Sequence, residues 1–234
     1  MNNLSALLAR CAVLALIAAA PRAFAQLPDP ARFEDAIRQF EAQDRVSPPP
    51  EGAIVLTGSS SIARWNNQAQ AALAPLTVIA RGFGGSAMND VLYYLDRVAL
   101  KYKPRAILIY EGDNDTGIAN PIPDKMILDE LEQIIARVHA TLPAARIYVL
   151  SIKPSVLRWK RWPMAQRVSA GYERIAESDP LVFYVDVATP LLQRDGTVMR
   201  DIFVADNLHL NDKGNEIWGA TIKSALMPHE AQFE

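Results

Sequence analysis

Five short apolar runs, spaced along the chain and separated by longer amphipathic stretches, restrict what this sequence can fold into more than any other feature. They are "AIVLT" (53–57), "TVIAR" (77–81), "AILIY" (106–110), "RIYVL" (146–150) and "VFYVDV" (182–187). Each has the length of a strand rather than a helix, and the runs are nearly continuous in apolar character, as strands buried on both faces are. Between them the apolar residues recur at helical spacing. This holds in "NDVLYYLDRVALKY" (89–102), "DKMILDELEQIIARVHATL" (124–142) and "PMAQRVSAGYERIAES" (163–178), and "NDKGNEIWGATIKSALM" (211–227) closes the pattern. Buried strands alternating with amphipathic helices predict an α/β fold of three layers, α/β/α, around a five-stranded parallel sheet.

Ligands of such sheets sit in a crevice beyond the carboxyl ends of the strands, so reactive residues are sought just after each run. Gly58-Ser59-Ser60-Ser61 follows the first, and "RGFGGSAMND" (81–90) surrounds the end of the second. "EGDNDTG" (111–117) follows the third, and "VADNLHLND" (204–212) comes after the fifth by way of a short helix and a loop. Of the three histidines, His139 lies late in a predicted helix and His229 five residues from the last position, so only His209 falls in a strand-end loop. An imidazole can take a proton from a serine hydroxyl, and a carboxylate beside it can fix its tautomer; Asp206, three residues earlier, is placed to do so. Alone, Asp-x-x-His is more often a turn Asp with a surface His. A serine run at another strand end reverses that balance.

These four segments, in this order, resemble the SGNH hydrolase superfamily of GDSL-like esterases, and the resemblance runs from about residue 53 to the end. Gly58-Ser59-Ser60-Ser61 matches the Gly-Asp-Ser-Leu block, with Ser59 and Ser61 in place of Asp and Leu. Gly85 matches the glycine of the second block, Gly112-Asp113-Asn114-Asp115 the Gly-x-Asn-Asp block, and Asp206-Asn207-Leu208-His209 the closing Asp-x-x-His. The resemblance implies a flavodoxin-like fold and a serine esterase working through an acyl-enzyme. Ser60 is then the nucleophile, with His209 and Asp206 as its base and orienting acid. The N–H groups of Ser60 and Gly85 and the amide of Asn114 form the oxyanion hole. Physical grounds agree on Ser60, because a serine at the turn from strand to helix exposes its hydroxyl at the sheet edge with its N–H at a helix start. Ser59 or Ser61 is then free to be a cap. A general α/β-hydrolase is disfavoured, because its Gly-x-Ser-x-Gly elbow would need glycine where Ile62 stands and its Asp and His usually lie far apart.

A further segment, "KPSVLRWKRWP" (153–163), follows the fourth run and overhangs the same edge. Arg158, Trp159 and Trp162 are candidate substrate contacts, since an indole can stack on a sugar face and Arg can hold an anionic group. Their alternative is to fold back onto the core. Glu111, Asp113 and Asp115 lack the spacing of a calcium loop and have no His or Cys nearby, so no metal and no other cofactor is expected.

The first 25 residues read as a secretory leader, with Arg10 before an apolar run from Cys11 to Ala20 and "AFA" ending at Ala25. That run of about ten residues is half what a membrane span needs. Cys11, the single cysteine, would leave with the leader, so no disulfide or thiolate metal site is expected in the exported chain. Of the 24 Lys and Arg, Arg10 and Arg22 would also go, while all 26 Asp and Glu stay, giving a net charge of about −4. An acidic balance excludes nucleic acid as a main partner. Residues 26–50 read as a helix, with Phe33, Ile37 and Phe40 in phase, and a proline-rich linker; 51–234 read as one hydrolase domain. The expected protein is a periplasmic or secreted esterase for a small-molecule or carbohydrate ester, with no integral membrane segment after the leader is removed. Lipid esters, thioesters and acyl transfer to a sugar hydroxyl are alternatives, as is a non-enzymatic carbohydrate-binding protein on the same fold.

Overall fold

The computed structural model describes residues 29–234; the expected leader lies outside them. A 3₁₀ turn at Pro30–Phe33 leads into α1 (Glu34–Val46), and then strands and helices alternate. They are β1 (Ile54–Gly58), α2 (Ser60–Trp65), α3 (Ala69–Leu73), β2 (Val78–Gly82), α4 (Met88–Val98), β3 (Ala106–Tyr110), α5 (Asp113–Gly117), α6 (Asp124–Thr141), β4 (Arg146–Leu150), α7 (Trp162–Glu177), β5 (Val182–Val185) and α8 (Asp212–Glu230). The strands form one parallel sheet in the order β2-β1-β3-β4-β5. No helix among the described residues is long and apolar enough to cross a membrane.

Alternate side chains of each strand enter different layers. Val55, Ile107, Ile109, Ile147 and Val149 face a core shared with α1, α4, α6 and α7, whereas Ile54, Leu56, Leu108, Tyr110 and Leu150 face one shared with α2, α3 and α8. The N-terminal helix is part of the first core, with Ile37 and Phe40 buried. Its polar side reaches the strand and helix ends: Asp44 pairs with Arg81 and Lys101, and Glu34 and Glu41 share Arg97.

The order of the strands places the site. The chain leaves β1 for β2 on one side and returns past it to β3, so connections diverge at β1, and a crevice opens there. Register then levels the three strand ends, since Gly58 pairs with Gly82 on one side and Tyr110 on the other. The segments that follow them therefore emerge side by side. Gly58 is tightly confined, because a Cβ there would lie 2.1 Å from the carbonyl oxygen of Tyr110. Both β1 and β2 run one residue beyond the expected ends, each to a glycine that pattern alone reads as turn. β5 is two residues shorter than expected, because the Asp186 carboxylate accepts from the N–H groups of Ala188 and Thr189 and turns the chain.

Candidate active site

Ser60 is the first residue of α2, directly after Gly58 and Ser59. A residue there has an N–H without an intrahelical acceptor, and the helix dipole favours negative charge beside it. The three serines differ sharply in setting: Ser59 is buried with its N–H donated to the Tyr110 carbonyl, while Ser60 and Ser61 are half-buried. Only Ser60 meets the histidine, its Oγ lying 2.8 Å from His209 Nε2.

His209 is held by a compact loop. The Asp206 carboxylate accepts from the N–H groups of Leu208 and His209 through Oδ1, each at 2.9 Å, and its Oδ2 lies 2.6 Å from His209 Nδ1. Asn207 takes φ +58° inside this turn, a conformation Asn tolerates better than most residues. The Val204 N–H bonds the His209 carbonyl, and Asn211, capping α8, donates to the carbonyls of Asp201 and Phe203. Burial works to raise the Asp206 carboxyl, but the N–H groups and the imidazole outweigh it and hold the group well below the usual carboxylate range. With Nδ1–H donating to this carboxylate, Nε2 is left to accept the Ser60 hydroxyl proton. The other histidines are elsewhere: His139 faces Asp179 and His229 packs on Phe183.

The second and third segments close in from β2 and β3. A Cβ on Gly84 would lie 3.9 Å from that of Ser60, so this turn runs beside the serine. Gly85 has φ +90°, and a Cβ there would meet no protein atom within 4 Å, so glycine serves the backbone conformation and not a lack of room. Asn114, half-buried in α5, donates from Nδ2 to the Ser86 carbonyl at 2.8 Å, tying the two segments together. Its Oδ1 accepts from Arg158 at 2.9 Å.

The acidic residues around Asn114 point three different ways. Glu111 accepts from the Ser86 hydroxyl, Asp113 from Lys153 and Arg158, and Asp115 from the N–H groups of Met88 and Gly112. Burial, then the Asp115 charge, pushes Glu111 far up, and burial lifts Asp115 to about 6. Burial would raise Asp113 too, but the two cations hold it below the usual range. Among the described residues, no group of three or more His, Cys, Asp or Glu side chains could hold a metal ion.

The three residues proposed from the 153–163 segment part company. Arg158 turns inward, away from the expected role, and its terminal nitrogens bond the Asp113 carboxylate and carbonyl and the Asn114 amide. Trp162 stacks on Trp159, ring centres 6.0 Å apart, and packs against the core shared by α6 and α7. Trp159 alone of the three lines a cavity of about 400 Å³ with Val156, Leu157, Lys160, Val198 and Arg200. This cavity adjoins the histidine loop, because the Leu157 N–H bonds the Asn207 carbonyl. Sequence reasoning missed Lys153, Ser86 and Arg64. The last lies four residues after Ser60, one helical turn on, with its guanidinium 3.7 Å from Asp206.

A family model for GDSL-like lipases and acylhydrolases matches residues 46–217, which takes in all four segments. The chain belongs to the GDSL-like lipase/acylhydrolase family. It is an ester-hydrolysing enzyme by that membership. Similar solved structures include a Streptococcus pneumoniae protein given provisionally as a platelet activating factor, 23% identical with a TM-score of 0.74, covering 82% of this chain and 92% of that one. A GDSL-like lipase of Bacteroides thetaiotaomicron is 16% identical with a TM-score of 0.71, over 82% and 97%. A carbohydrate esterase family 3 enzyme of Talaromyces cellulolyticus is 15% identical with a TM-score of 0.61, over 78% and 100%. At these identities the likeness is one of fold. No protein of curated function matches the chain.

Proposed function

We propose that this GDSL-family enzyme is an exported serine esterase that removes a short acyl group, acetyl above all, from a carbohydrate. The observation that carries the chemistry is the unbroken path from Ser60 Oγ to His209 Nε2, 2.8 Å, and from His209 Nδ1 to Asp206 Oδ2, 2.6 Å. Ser60 Oγ attacks the ester carbonyl as His209 takes its proton, and Asp206 steadies the imidazolium. On this reading the oxyanion that develops is met by the N–H groups of Ser60 and Gly85 and by Asn114 Nδ2, donors whose worth lies in being aimed where the charge forms. Collapse expels the alcohol, which takes the proton from His209. Water then gives up a proton to His209 and attacks the acyl-enzyme, releasing the carboxylic acid and restoring Ser60.

The choice of a carbohydrate ester rests on the Trp159 cavity beside the histidine loop, with Lys160 and Arg200 in its wall. An indole offers a face for a sugar ring. The fold shared with a carbohydrate esterase is consistent with that choice. Residues 1–25, read as a leader, put the enzyme where extracellular or periplasmic polysaccharide is met. Release of acetate from an acetylated oligosaccharide tests the substrate. Trp159→Ala is expected to lower kcat/KM on it by roughly tenfold, as a loss of about 1.4 kcal/mol would, while p-nitrophenyl acetate hydrolysis stays within a few fold. Activity confined to long-chain esters would make the enzyme a lipid esterase. Transfer of acetate to an added sugar in preference to water would make it an acyltransferase.

A further inference from the structure

Asp113 is a buried carboxylate on the α5 turn, and it is the centre of an ionic strut that the reaction scheme leaves unused. Its Oδ2 accepts from Lys153 Nζ at 3.1 Å and from the Tyr110 hydroxyl at 3.2 Å, and its Oδ1 from Arg158 Nη1 at 2.6 Å. The Lys153 side chain is wholly buried, and its Nζ also bonds the carbonyl of Leu208, the residue before His209. The segment after β4 is thereby fastened both to the asparagine turn and to the histidine loop. Arg158 occupies a space that exists only because residue 117 is glycine: a Cβ there would lie 2.5 Å from Arg158 Cδ and Nε.

We propose that Arg158 is a positioning residue for the reaction, setting the orientation of the Asn114 side-chain amide. A guanidinium only donates and a backbone carbonyl only accepts, so of the two ways the amide can lie, just one satisfies both neighbours. Oδ1 faces Arg158 Nη2 and Nδ2 faces the Ser86 carbonyl. The flipped amide would set donor against donor and acceptor against acceptor. One proton of the Nδ2 group is used on Ser86, and the second stays available to the oxyanion. Without Arg158 only the Ser86 carbonyl distinguishes the two ends of the amide, and the flipped form, which presents an oxygen to developing negative charge, becomes more populated. The inference rests on the reading of Asn114 as an oxyanion donor.

A double-mutant cycle with p-nitrophenyl acetate tests it, using Asn114→Ala, Arg158→Met and the pair. Losing an oxyanion donor lowers kcat by roughly 10²–10³. Arg158→Met is expected to lower kcat by at least about tenfold with KM within about threefold, and the pair to be no worse than Asn114→Ala alone. Gly117→Ala, which pushes Arg158 aside, should give the same loss in kcat. Arg158→Lys should keep the melting temperature closer to wild type than Arg158→Met does, yet recover little kcat, because a single ammonium does not span Asp113 and Asn114 as the fork does. Multiplying losses in the double variant would overturn the proposal, as would an effect confined to KM or to large substrates, which would return Arg158 to a substrate contact. A lowered melting temperature with unchanged kcat would reduce it to a structural ion pair. If Asn114→Ala is impaired and Arg158→Met is not, this inference alone fails; if Asn114→Ala has wild-type kcat, the reading of Asn114 fails and takes the inference with it.

Discussion

Three adjacent serines differ here by their place on a turn, and the consequence extends to their partners. Asp206 serves as the example, since its two oxygens divide the work: Oδ1 holds the loop by two backbone N–H groups and Oδ2 holds the ring. Asp206→Asn keeps the size but puts an amide where acceptors are required, so the imidazole loses the partner that fixes its tautomer. A fall in kcat of roughly 10²–10⁴ is expected, with KM changed far less; steady-state kinetics showing less than a threefold fall would mean that Ser60 and His209 act without it. The meeting of Ser60, His209 and Asp206 was legible because the blocks place these side-chain types in loops beyond the strands. Their supports were not. Lys153 is only the first residue of the 153–163 segment in sequence, and Arg158 sits in a run of cations where nothing in the pattern says which one turns inward. Asp113 occupies the variable place of its block, and its meaning comes from contacts 40 to 45 residues away in sequence.

Among the secondary-structure elements, the strands were the most legible, because burial on both faces leaves a nearly unbroken apolar run. β3 and β4 fall where the pattern puts them, at 106–110 and 146–150. Short helices were not legible: α3 and α5 are five residues each, too brief to show periodicity. The expected helix at 89–102 ends as α4 at Val98 and is followed by a 3₁₀ turn at Leu100–Tyr102, closed by Lys103 at φ +47°. α6 carries an anomaly of another kind. Glu130 is a buried residue on its inner face with Oε2 unpaired, and burial, with the charges of Asp115, Asp90 and Asp129, pushes its carboxyl up to about 7. Its pKa is thus raised on folding above the ordinary 4.5, so the folded state holds the proton more tightly than the unfolded state does. The stability this gives is complete below about pH 4 and is lost as pH rises from there through about 7. Glu130→Gln, which is uncharged throughout, should gain on wild type over that interval, by on the order of 1–3 kcal/mol at pH 8. Urea unfolding at pH 5 and pH 8 measures this, and an equal effect of the substitution at both values would refute it.

The whole molecule shows why four separated segments make one site. Parallel strands in the order 2-1-3-4-5, with Gly58, Gly82 and Tyr110 level across the sheet, deliver the serine turn, the Gly84–Gly85 turn and the asparagine turn to one edge. α8 and its capped loop bring Asp206 and His209 from the far end of the chain. The fold class and the sheet edge could be foreseen from periodicity; the distances could not, because they depend on register and on the buried strut among Asp113, Lys153 and Arg158. On the proposed reading Ser60 would gain its nucleophilicity only from that assembly, so the most direct test is where a serine-directed reagent attaches to the folded protein. A fluorophosphonate probe, followed by peptide mapping by mass spectrometry, is expected to modify Ser60 in the native protein and no serine after unfolding in urea. An adduct on Ser59 or Ser61, or labelling that persists in the unfolded chain, would contradict the assignment of Ser60 as the nucleophile.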